Sequence, residues 1–170
     1  MRANMKLKLI LPKPMIQRKI CGIGAELNEE SDINLIIVGR SSFIFASEIY
    51  SKIQNRVDTI SILEPYYTDE GKIEFVGGIT TDLTNKKCFV IHAVCDTGFV
   101  HSQLVELLKS EFTSCRIKNI CMINKLKNRQ FEYHTDYSVL EVKDQDIFFV
   151  GYGIALDEEH RDLLGIYKVY

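Results

Sequence analysis

The sequence predicts an α/β domain with a mainly parallel central sheet flanked by helices. Short apolar runs rich in β-branched residues, typical of strands buried on both faces, alternate with segments whose apolar residues recur at helical spacing. Such alternation favours parallel strands joined by crossover helices. The chain has 170 residues and contains no linker, repeat or low-complexity tract, so a single domain spanning residues 1–170 is expected.

The first third of the chain predicts an initial strand or arm, then two helices with a strand between them. A helix is expected at residues 13–28, where apolar residues recur every three or four positions: Ile16, Ile20, Ile23 and Leu27. The apolar run Asn34–Val38 predicts a buried strand, and Phe43–Gln54 predicts the second helix. Residues 39–42, which are small apart from Arg40, form the turn between strand and helix.

The middle of the chain predicts a short strand followed by a hairpin arm. Thr59–Leu63 has the composition of a strand, and Pro65–Gly71 is polar and rich in turn residues, which predicts a mobile excursion. Lys72–Val76 and the run after Gly77 and Gly78 then predict a hairpin arm that leads to the central strand.

The central stretch predicts a strand, a polar turn and a helix. Cys88–Val94 is a buried apolar run, Asp96-Thr97-Gly98 interrupts it, and helical spacing begins at Phe99. Such a turn presents backbone N–H groups at the positive end of a helix dipole, which is a common phosphate site. The same tripeptide also makes an ordinary strand-to-helix turn with Asp96 or Thr97 as the N-cap.

The last third of the chain predicts three further strands. Arg116–Ile123 is a strand, residues 125–136 form a basic and aromatic connection, and Phe148–Gly151 is a short strand. An acidic turn at residues 157–161 precedes a closing edge strand at Ile166–Val169. The two small-residue turns of the chain, at 39–42 and 96–98, therefore both follow buried strands, at the edge where parallel sheets bind ligands.

Composition excludes several classes of protein. The formal net charge of −2 gives no basic footprint for nucleic acid, and no apolar run approaches the length of a membrane span. The apolar patch near the N-terminus is too short for a signal sequence. The five cysteines are odd in number and form no CxxC pair, which is typical of a reduced, cytoplasmic protein, and the four histidines have no zinc-ligand spacing with them.

Four motifs occur in an informative order. They are GRSSF at 39–43, the apolar strand ending in Asp-Thr-Gly at 88–98, FFVGYG at 148–153 and RDL at 161–163. They resemble four segments of the hypoxanthine-guanine type of purine phosphoribosyltransferase. In the same order, these are the pyrophosphate loop, the phosphoribosyl pyrophosphate signature, the purine-stacking segment and the closing Arg-Asp/Asn-Leu. The resemblance implies the type I phosphoribosyltransferase fold, with residues 1–15 and 130–170 contributing to a small hood over the site.

The resemblance also implies a role for each candidate residue. Asp96 would be catalytic, accepting or donating a proton near the purine N7. The residues implied to bind phosphoribosyl pyrophosphate are Asp96, Thr97, Gly98, Phe99, Val100, Ser102, Arg40, Ser41 and Arg161. The residues implied to bind the purine are His134, Phe148 and Phe149. Asp157 is the candidate ligand for Mg²⁺, since Ala155 stands where the family has its late metal-binding aspartate.

Three of these residues also have a simpler interpretation. Phe148 could be an ordinary core residue, because aromatic side chains are often buried, and His134 could be an ordinary surface histidine. Arg161 could form a salt bridge with Asp157 or Glu158.

The chain departs from the family pattern at the acids that flank the ribose. His92 and Ala93 stand in place of two consecutive acids before Asp-Thr-Gly. Arg40 replaces a lysine in the pyrophosphate loop, and Phe99 and Val100 replace the residues that usually follow the glycine. Loss of the acids removes most of the negative charge that would hold a dication.

Two functions remain open on the sequence. The first is purine salvage: transfer of phosphoribose from phosphoribosyl pyrophosphate to hypoxanthine or guanine, with release of pyrophosphate and Mg²⁺ as cofactor, by a cytoplasmic homodimer or homotetramer. The second is an impaired or inactive relative that binds a nucleotide or phosphate, or serves in assembly.

Overall fold

The computed structural model describes residues 6–143 and 147–170, with three helices and nine strands in that part of the chain. The helices are α1 Lys13–Leu27, α2 Phe43–Tyr50 and α3 Phe99–Glu111, and a 3₁₀ turn at Arg40–Ser42 precedes α2. The strands are β1 Leu7–Pro12, β2 Ile33–Val38, β3 Val57–Tyr67, β4 Ile73–Gly78, β5 Lys87–Cys95, β6 Arg116–Lys125, β7 Tyr137–Val142, β8 Phe149–Val150 and β9 Gly165–Val169.

A six-stranded sheet organises the molecule, in the order β4-β3-β2-β5-β6-β7. Strands β3, β2, β5, β6 and β7 run parallel to one another, and only β4, at one edge, is antiparallel, to β3. The predicted α/β class with a mainly parallel sheet is therefore confirmed. Because β2 and β5 are adjacent and parallel, their carboxyl ends lie side by side, and the two turns singled out in the sequence follow them there.

The helices cover both faces of the sheet, which explains the apolar character of β2. Leu35 and Ile37 of β2 point to the face covered by α1 and α2, in a core that includes Ile20 and Phe45. The alternate residues of β2 join a second core beneath α3, with these fully or almost fully buried members: Ile36, Val38, Val90, Leu104 and Leu108. A strand that buries both faces needs apolar residues at nearly every position, and the one polar residue of β2, Asn34, donates its side-chain amide to the carbonyl of Lys87 at 2.9 Å.

The two ends of the chain meet in a second sheet. Strands β1, β9 and β8 form a three-stranded antiparallel sheet, with Leu7 of β1 opposite Val169 of β9. The predicted initial strand is present in it. The closing strand is also present, but its predicted edge position is wrong, because β9 lies between β1 and β8 and pairs with both. Residues 1–5 and 144–146, which belong to the segments expected to form a hood, lie outside the described residues.

The prediction of a mobile excursion at Pro65–Gly71 is wrong for most of that segment. Strand β3 runs on to Tyr67, with Tyr66 opposite Glu74 of β4, so only residues 68–71 turn. The tyrosines have high strand propensity, and pairing with β4 satisfies their backbone groups. Two further elements differ from the prediction: strand β7 was not predicted, and α2 ends at Tyr50 rather than Gln54. None of the described helices is long and apolar enough to cross a membrane.

Two glycines of α1 offer a matched test of its packing. A Cβ at Gly22 would meet nothing within 4 Å, whereas a Cβ at Gly24 would lie 2.4 Å from Cβ of Lys52, just after α2. Gly22→Ala is therefore expected to stabilise the protein by about 0.5–1 kcal/mol, because alanine loses less backbone entropy in a helix. Gly24→Ala is expected to destabilise it by about 1–3 kcal/mol through overpacking. Urea unfolding measures both, and equal shifts would contradict the packing described here.

Candidate active site at the carboxyl ends of the central strands

Two adjoining cavities open at the carboxyl ends of β2 and β5. The arginine cavity, of about 390 Å³, is lined by residues that include Arg40, Ser41, Glu64, His92, Ala93, Glu158 and Arg161. The aromatic cavity, of about 250 Å³, is lined by Ser41, Val94, Asp96, Lys125, Ile147, Phe148, Phe149, Ile154 and Ala155. Ser41, Val94 and Ile154 line both, so the two cavities form one continuous cleft.

The turn after β2 is fixed to the neighbouring strand. The Ser42 hydroxyl donates to the carbonyl of Val38 at 2.5 Å and accepts the N–H of Ala93 in β5 at 2.8 Å. Gly39 has φ +76°, a conformation that a side chain would strain. These contacts hold the following residue, Arg40, at the rim of the arginine cavity.

Charge is balanced within the arginine cavity. Arg40 donates its backbone N–H and its Nε to the Glu64 carboxylate at 2.6 and 3.0 Å. Arg161 donates to both oxygens of Glu158 at 3.0 Å, to the carbonyl of Gly153 at 2.7 Å and to the hydroxyl of Ser41 at 3.1 Å. The salt bridge foreseen for Arg161 is thus made with Glu158.

Asp96 faces a lysine that the sequence reading missed. The Nζ of Lys125, at the end of β6, donates to Oδ2 of Asp96 at 2.6 Å, and the Lys125 side chain is only 9% exposed. The other oxygen, Oδ1, is buried and has no hydrogen-bond partner among the described residues. Asp96 is therefore not the N-cap of α3; the residue before that helix is Gly98, and the Thr97 hydroxyl accepts the N–H of Phe99 at 3.2 Å.

The turn into α3 leaves backbone donors unused. Gly98 has φ +86°, and a Cβ there would lie 2.9 Å from the carbonyl oxygen of Phe131. The N–H of Ser102 is bonded to the Gly98 carbonyl, whereas the N–H groups of Val100 and His101 have no acceptor in the described part of the chain. The first turn of α3 can therefore accept an anion.

Known proteins share both the sequence pattern and the fold. The chain is 25% identical over 170 residues to the hypoxanthine-guanine phosphoribosyltransferase of Bacillus subtilis, covering 95% of this chain and 93% of that protein. It is 24% identical to that of Aquifex aeolicus, covering 96% and 95%. A solved hypoxanthine-guanine phosphoribosyltransferase from Bacillus anthracis superposes with a TM-score of 0.87 at 25% identity, covering 98% of this chain and 99% of that one.

The chain is similar, over almost its whole length, to proteins named hypoxanthine-guanine phosphoribosyltransferase. No family model matches it. The resemblance drawn from the four motifs is confirmed by these relatives, all of them transferases of the glycosyltransferase class, and so is the type I phosphoribosyltransferase fold.

The structure brings most of the residues implied by the family motifs to this cleft. Arg40, Ser41, Val100 and Arg161 line the arginine cavity. Asp96, Phe148 and Phe149 line the aromatic cavity, where Phe148 is 50% exposed and Phe149 only 5%, so Phe148 has the free ring face. Thr97 and Gly98 form the turn between Asp96, which lines the aromatic cavity, and Val100, which lines the arginine cavity.

Four of the implied residues are placed differently. His134 lines a separate cavity beside Lys109 and Glu132, away from Phe148, and Lys125 stands beside Asp96 instead. The Phe99 ring stacks on Phe131 at 4.9 Å, and the Ser102 hydroxyl is committed to the Phe99 carbonyl at 2.8 Å. Asp157 lines neither cavity of the cleft.

The cleft does not by itself supply the ligand set of a Mg²⁺ site. Glu64 and Glu158, the carboxylates of the arginine cavity, are engaged by arginines, and Ala93 offers no oxygen. Among residues 6–143 and 147–170, no group of three or more His, Cys, Asp or Glu side chains could hold a metal ion. The implied Asp157 ligand thus lacks partners for a metal there.

His92, which replaces the first family acid, belongs to a buried aromatic cluster. Its ring lies 5.5 Å from that of His101 and 5.9 Å from that of Tyr133, and Arg129 stacks on Tyr133 at 4.6 Å. Burial, with the nearby His101 and Arg129, lowers the pKa of His92 to about 3, and burial together with Arg129 lowers the pKa of His101 to about 4. Both imidazoles are therefore neutral at pH 7, and Nε2 of His92 and Nδ1 of His101 have no partner among the described residues.

The depressed pKa values predict acid sensitivity. In the unfolded chain histidine titrates near 6.5, so between about pH 6.5 and pH 3–4 the unfolded state binds protons that the folded state excludes. The free energy of unfolding is therefore highest above about pH 6.5. It falls as the pH drops, by up to about 2 kcal/mol per buried histidine at pH 5. Urea unfolding at pH 7 and pH 5 measures this loss. His92→Gln should lose less between the two pH values, and an equal loss in the variant would contradict the assignment.

Proposed function

We propose that this protein is a purine salvage enzyme that transfers the phosphoribosyl group of phosphoribosyl pyrophosphate to hypoxanthine or guanine and releases pyrophosphate. The observation that carries the proposal is the Asp96–Lys125 pair, 2.6 Å apart, set in an aromatic cavity that opens into a cavity with two arginines. The relatives named for this activity support it at the level of the enzyme class.

The paired side chains favour a 6-oxopurine over adenine. Lys125 is only a donor, whereas the unpartnered Oδ1 of Asp96 is an acceptor, and they are adjacent. The neighbouring O6 and protonated N7 of hypoxanthine or guanine present an acceptor and a donor at similar spacing. The amino group of adenine would instead set a donor against Lys125. A base on these groups could stack on the free face of Phe148.

The reaction then runs along the cleft. N9 of the purine attacks C1 of the ribose, the bond from C1 to the pyrophosphate oxygen breaks, and Asp96 takes the proton that the ring loses. Pyrophosphate departs on the side of Arg40 and Arg161, and the 5′-phosphate accepts the unused N–H groups of Val100 and His101. Rate enhancement comes from positioning and charge stabilisation, with no covalent intermediate.

Magnesium, when bound, would enter with the diphosphate substrate. Mg²⁺ commonly keeps several waters and binds through phosphate oxygens with few protein ligands. Such a mode suits a cavity in which the carboxylates are engaged by arginines.

The proposed assembly is a cytoplasmic homodimer or homotetramer. Large apolar side chains are exposed along β3, β4 and α2, namely Ile60, Ile62, Val76, Phe43 and Tyr50, each at least 45% accessible. An exposed apolar surface of this kind favours contact with a second copy of the chain.

A steady-state assay tests the activity. Phosphoribosyl pyrophosphate, Mg²⁺ and hypoxanthine or guanine should yield nucleotide and pyrophosphate in equal amounts, and adenine should be a far poorer substrate. Absence of turnover with all three bases would refute the proposal. Calorimetric binding of phosphoribosyl pyrophosphate or a purine nucleotide without turnover would favour the impaired relative.

A further inference from the structure

Two cysteine thiols lie side by side at the end of the sheet opposite the cleft. Cys88 is the second residue of β5 and is fully buried, while Cys115 lies between α3 and β6 and is partly exposed. Their sulfur atoms are 3.1 Å apart. Among the other cysteines, Cys21 is exposed on α1, and Cys95 and Cys121 are buried.

The backbone holds the two thiols in this position. The N–H of Arg116 donates to the carbonyl of Lys86 at 2.9 Å, and the N–H of Asn85 donates to the carbonyl of Thr113 at 2.9 Å. These bonds fix the chain on both sides of the pair, and β5 and β6 continue in register with Cys88 opposite Ile117. A disulfide needs a sulfur separation of about 2.05 Å, so the two sulfur atoms have to approach each other by about 1 Å for the bond to form.

We propose that Cys88 and Cys115 form a dithiol modification site that is oxidised to a disulfide by low-molecular-weight disulfides such as oxidised glutathione. This inference does not depend on the proposed function. In a reducing compartment the pair would remain as thiols and would respond when the pool of small disulfides rises, which is the usual role of cytosolic disulfides.

The two thiols have different parts in the exchange. Cys115 is the accessible one, and the hydrogen bond from Cys88 lowers its thiol pKa, whereas the same bond and burial raise the pKa of Cys88. The Cys115 thiolate attacks the external disulfide, forming a mixed disulfide and expelling one thiolate. Cys88 then loses its proton, attacks the Cys115 sulfur and expels the second thiolate. One external disulfide is reduced to two thiols, and the two cysteines are oxidised to one disulfide.

The bond would close the strand–turn–helix unit at its far end. The segment between the two cysteines, which are 27 residues apart, contains β5, the turn at 96–98 and α3. Closing a loop of that length restricts the unfolded chain, and a rise in Tm on the order of 5 °C is expected. The cleft lies at the other end of β5, so its geometry should not change.

Oxidation of the full-length protein with oxidised glutathione tests the proposal. Peptide mapping by mass spectrometry under non-reducing conditions should show one linked pair, Cys88 with Cys115, and calorimetry should show the rise in Tm, reversed by dithiothreitol. Cys21→Ser should behave as the parent, and Cys115→Ser should neither form the link nor gain Tm. Glutathione remaining attached to Cys115, or a link between other cysteines, would overturn the proposal; the mapping of the parent alone decides this if Cys115→Ser does not fold.

Discussion

Replacing Asp96 by asparagine is expected to lower kcat by 10²-fold or more while phosphate binding changes little. The amide keeps the shape of the side chain but cannot take a proton from the purine, and general acid–base groups contribute about 10²–10⁴-fold. The turn is held by Gly98 and by the Thr97 carbonyl, which accepts two backbone N–H groups from the 129–131 segment, so it does not need the carboxylate. Steady-state kinetics with hypoxanthine and calorimetry with inorganic phosphate measure the two effects.

Lys125 provides the control for this prediction. Without the Asp96 carboxylate, the buried ammonium loses its ion-pair partner, and part of the damage could come from that charge alone. Lys125→Met in the Asp96→Asn background removes the charge. If the double variant recovers the turnover of the Lys125→Met single variant, the unpaired charge caused the loss and Asp96 is not the proton acceptor. If the loss persists, the role of the carboxylate stands.

Restoring the acids at the ribose side is expected to strengthen magnesium-dependent substrate binding. His92 and Ala93 both line the arginine cavity, and His92→Glu with Ala93→Asp would place two hard oxygen ligands there. Arg129, whose positive charge acts on His92, would partly offset the free-energy cost of burying the carboxylate of the new glutamate. Affinity for phosphoribosyl pyrophosphate should rise on the order of tenfold, about 1.4 kcal/mol, only when Mg²⁺ is present.

The matched control replaces the same residues by amides. His92→Gln with Ala93→Asn has nearly the same size as the acidic pair and disrupts the His92–His101 contact in the same way, but it carries no charge. Calorimetric titration of both double variants, with and without Mg²⁺, separates metal binding from repacking. A gain that is equal in the amide variant, or independent of Mg²⁺, would show that the missing acids do not limit the parent.

Local signals in the sequence explain which parts of this fold and cleft could be predicted. The unit from β5 to α3 was predicted because its apolar period changes from strand to helix at Gly98, and that change can be seen in adjacent residues. The core positions of α1 were predicted for the same reason, and its four periodic residues are all buried. The turn after Val38 could be predicted from two local features alone: its small residues and its position directly after a buried strand.

Contacts between distant segments explain what the sequence could not show. Tyr66 and Tyr67 extend β3 because β4 pairs with them, and polar neighbours masked that strand. Lys125 meets Asp96 because Cys95 lies opposite Asn124 in the parallel register, a relation that no local pattern carries. His92 and His101 touch because α3 packs on β5, although their separation by nine positions across a turn gave no sign of contact.

The balance of charge at the arginine cavity bears on how fast a substrate is captured. Because Arg40 and Arg161 are paired with Glu64 and Glu158, little net field extends from the cavity into solvent. A polyanion would then arrive at the ordinary rate for unsteered encounters, roughly 10⁵–10⁶ M⁻¹s⁻¹, and the rate would depend only weakly on salt. A phosphate oxygen that reaches Arg161 must displace one of its present acceptors, which are the Glu158 carboxylate, the Ser41 hydroxyl and the Gly153 carbonyl, so capture is an exchange of hydrogen-bond partners.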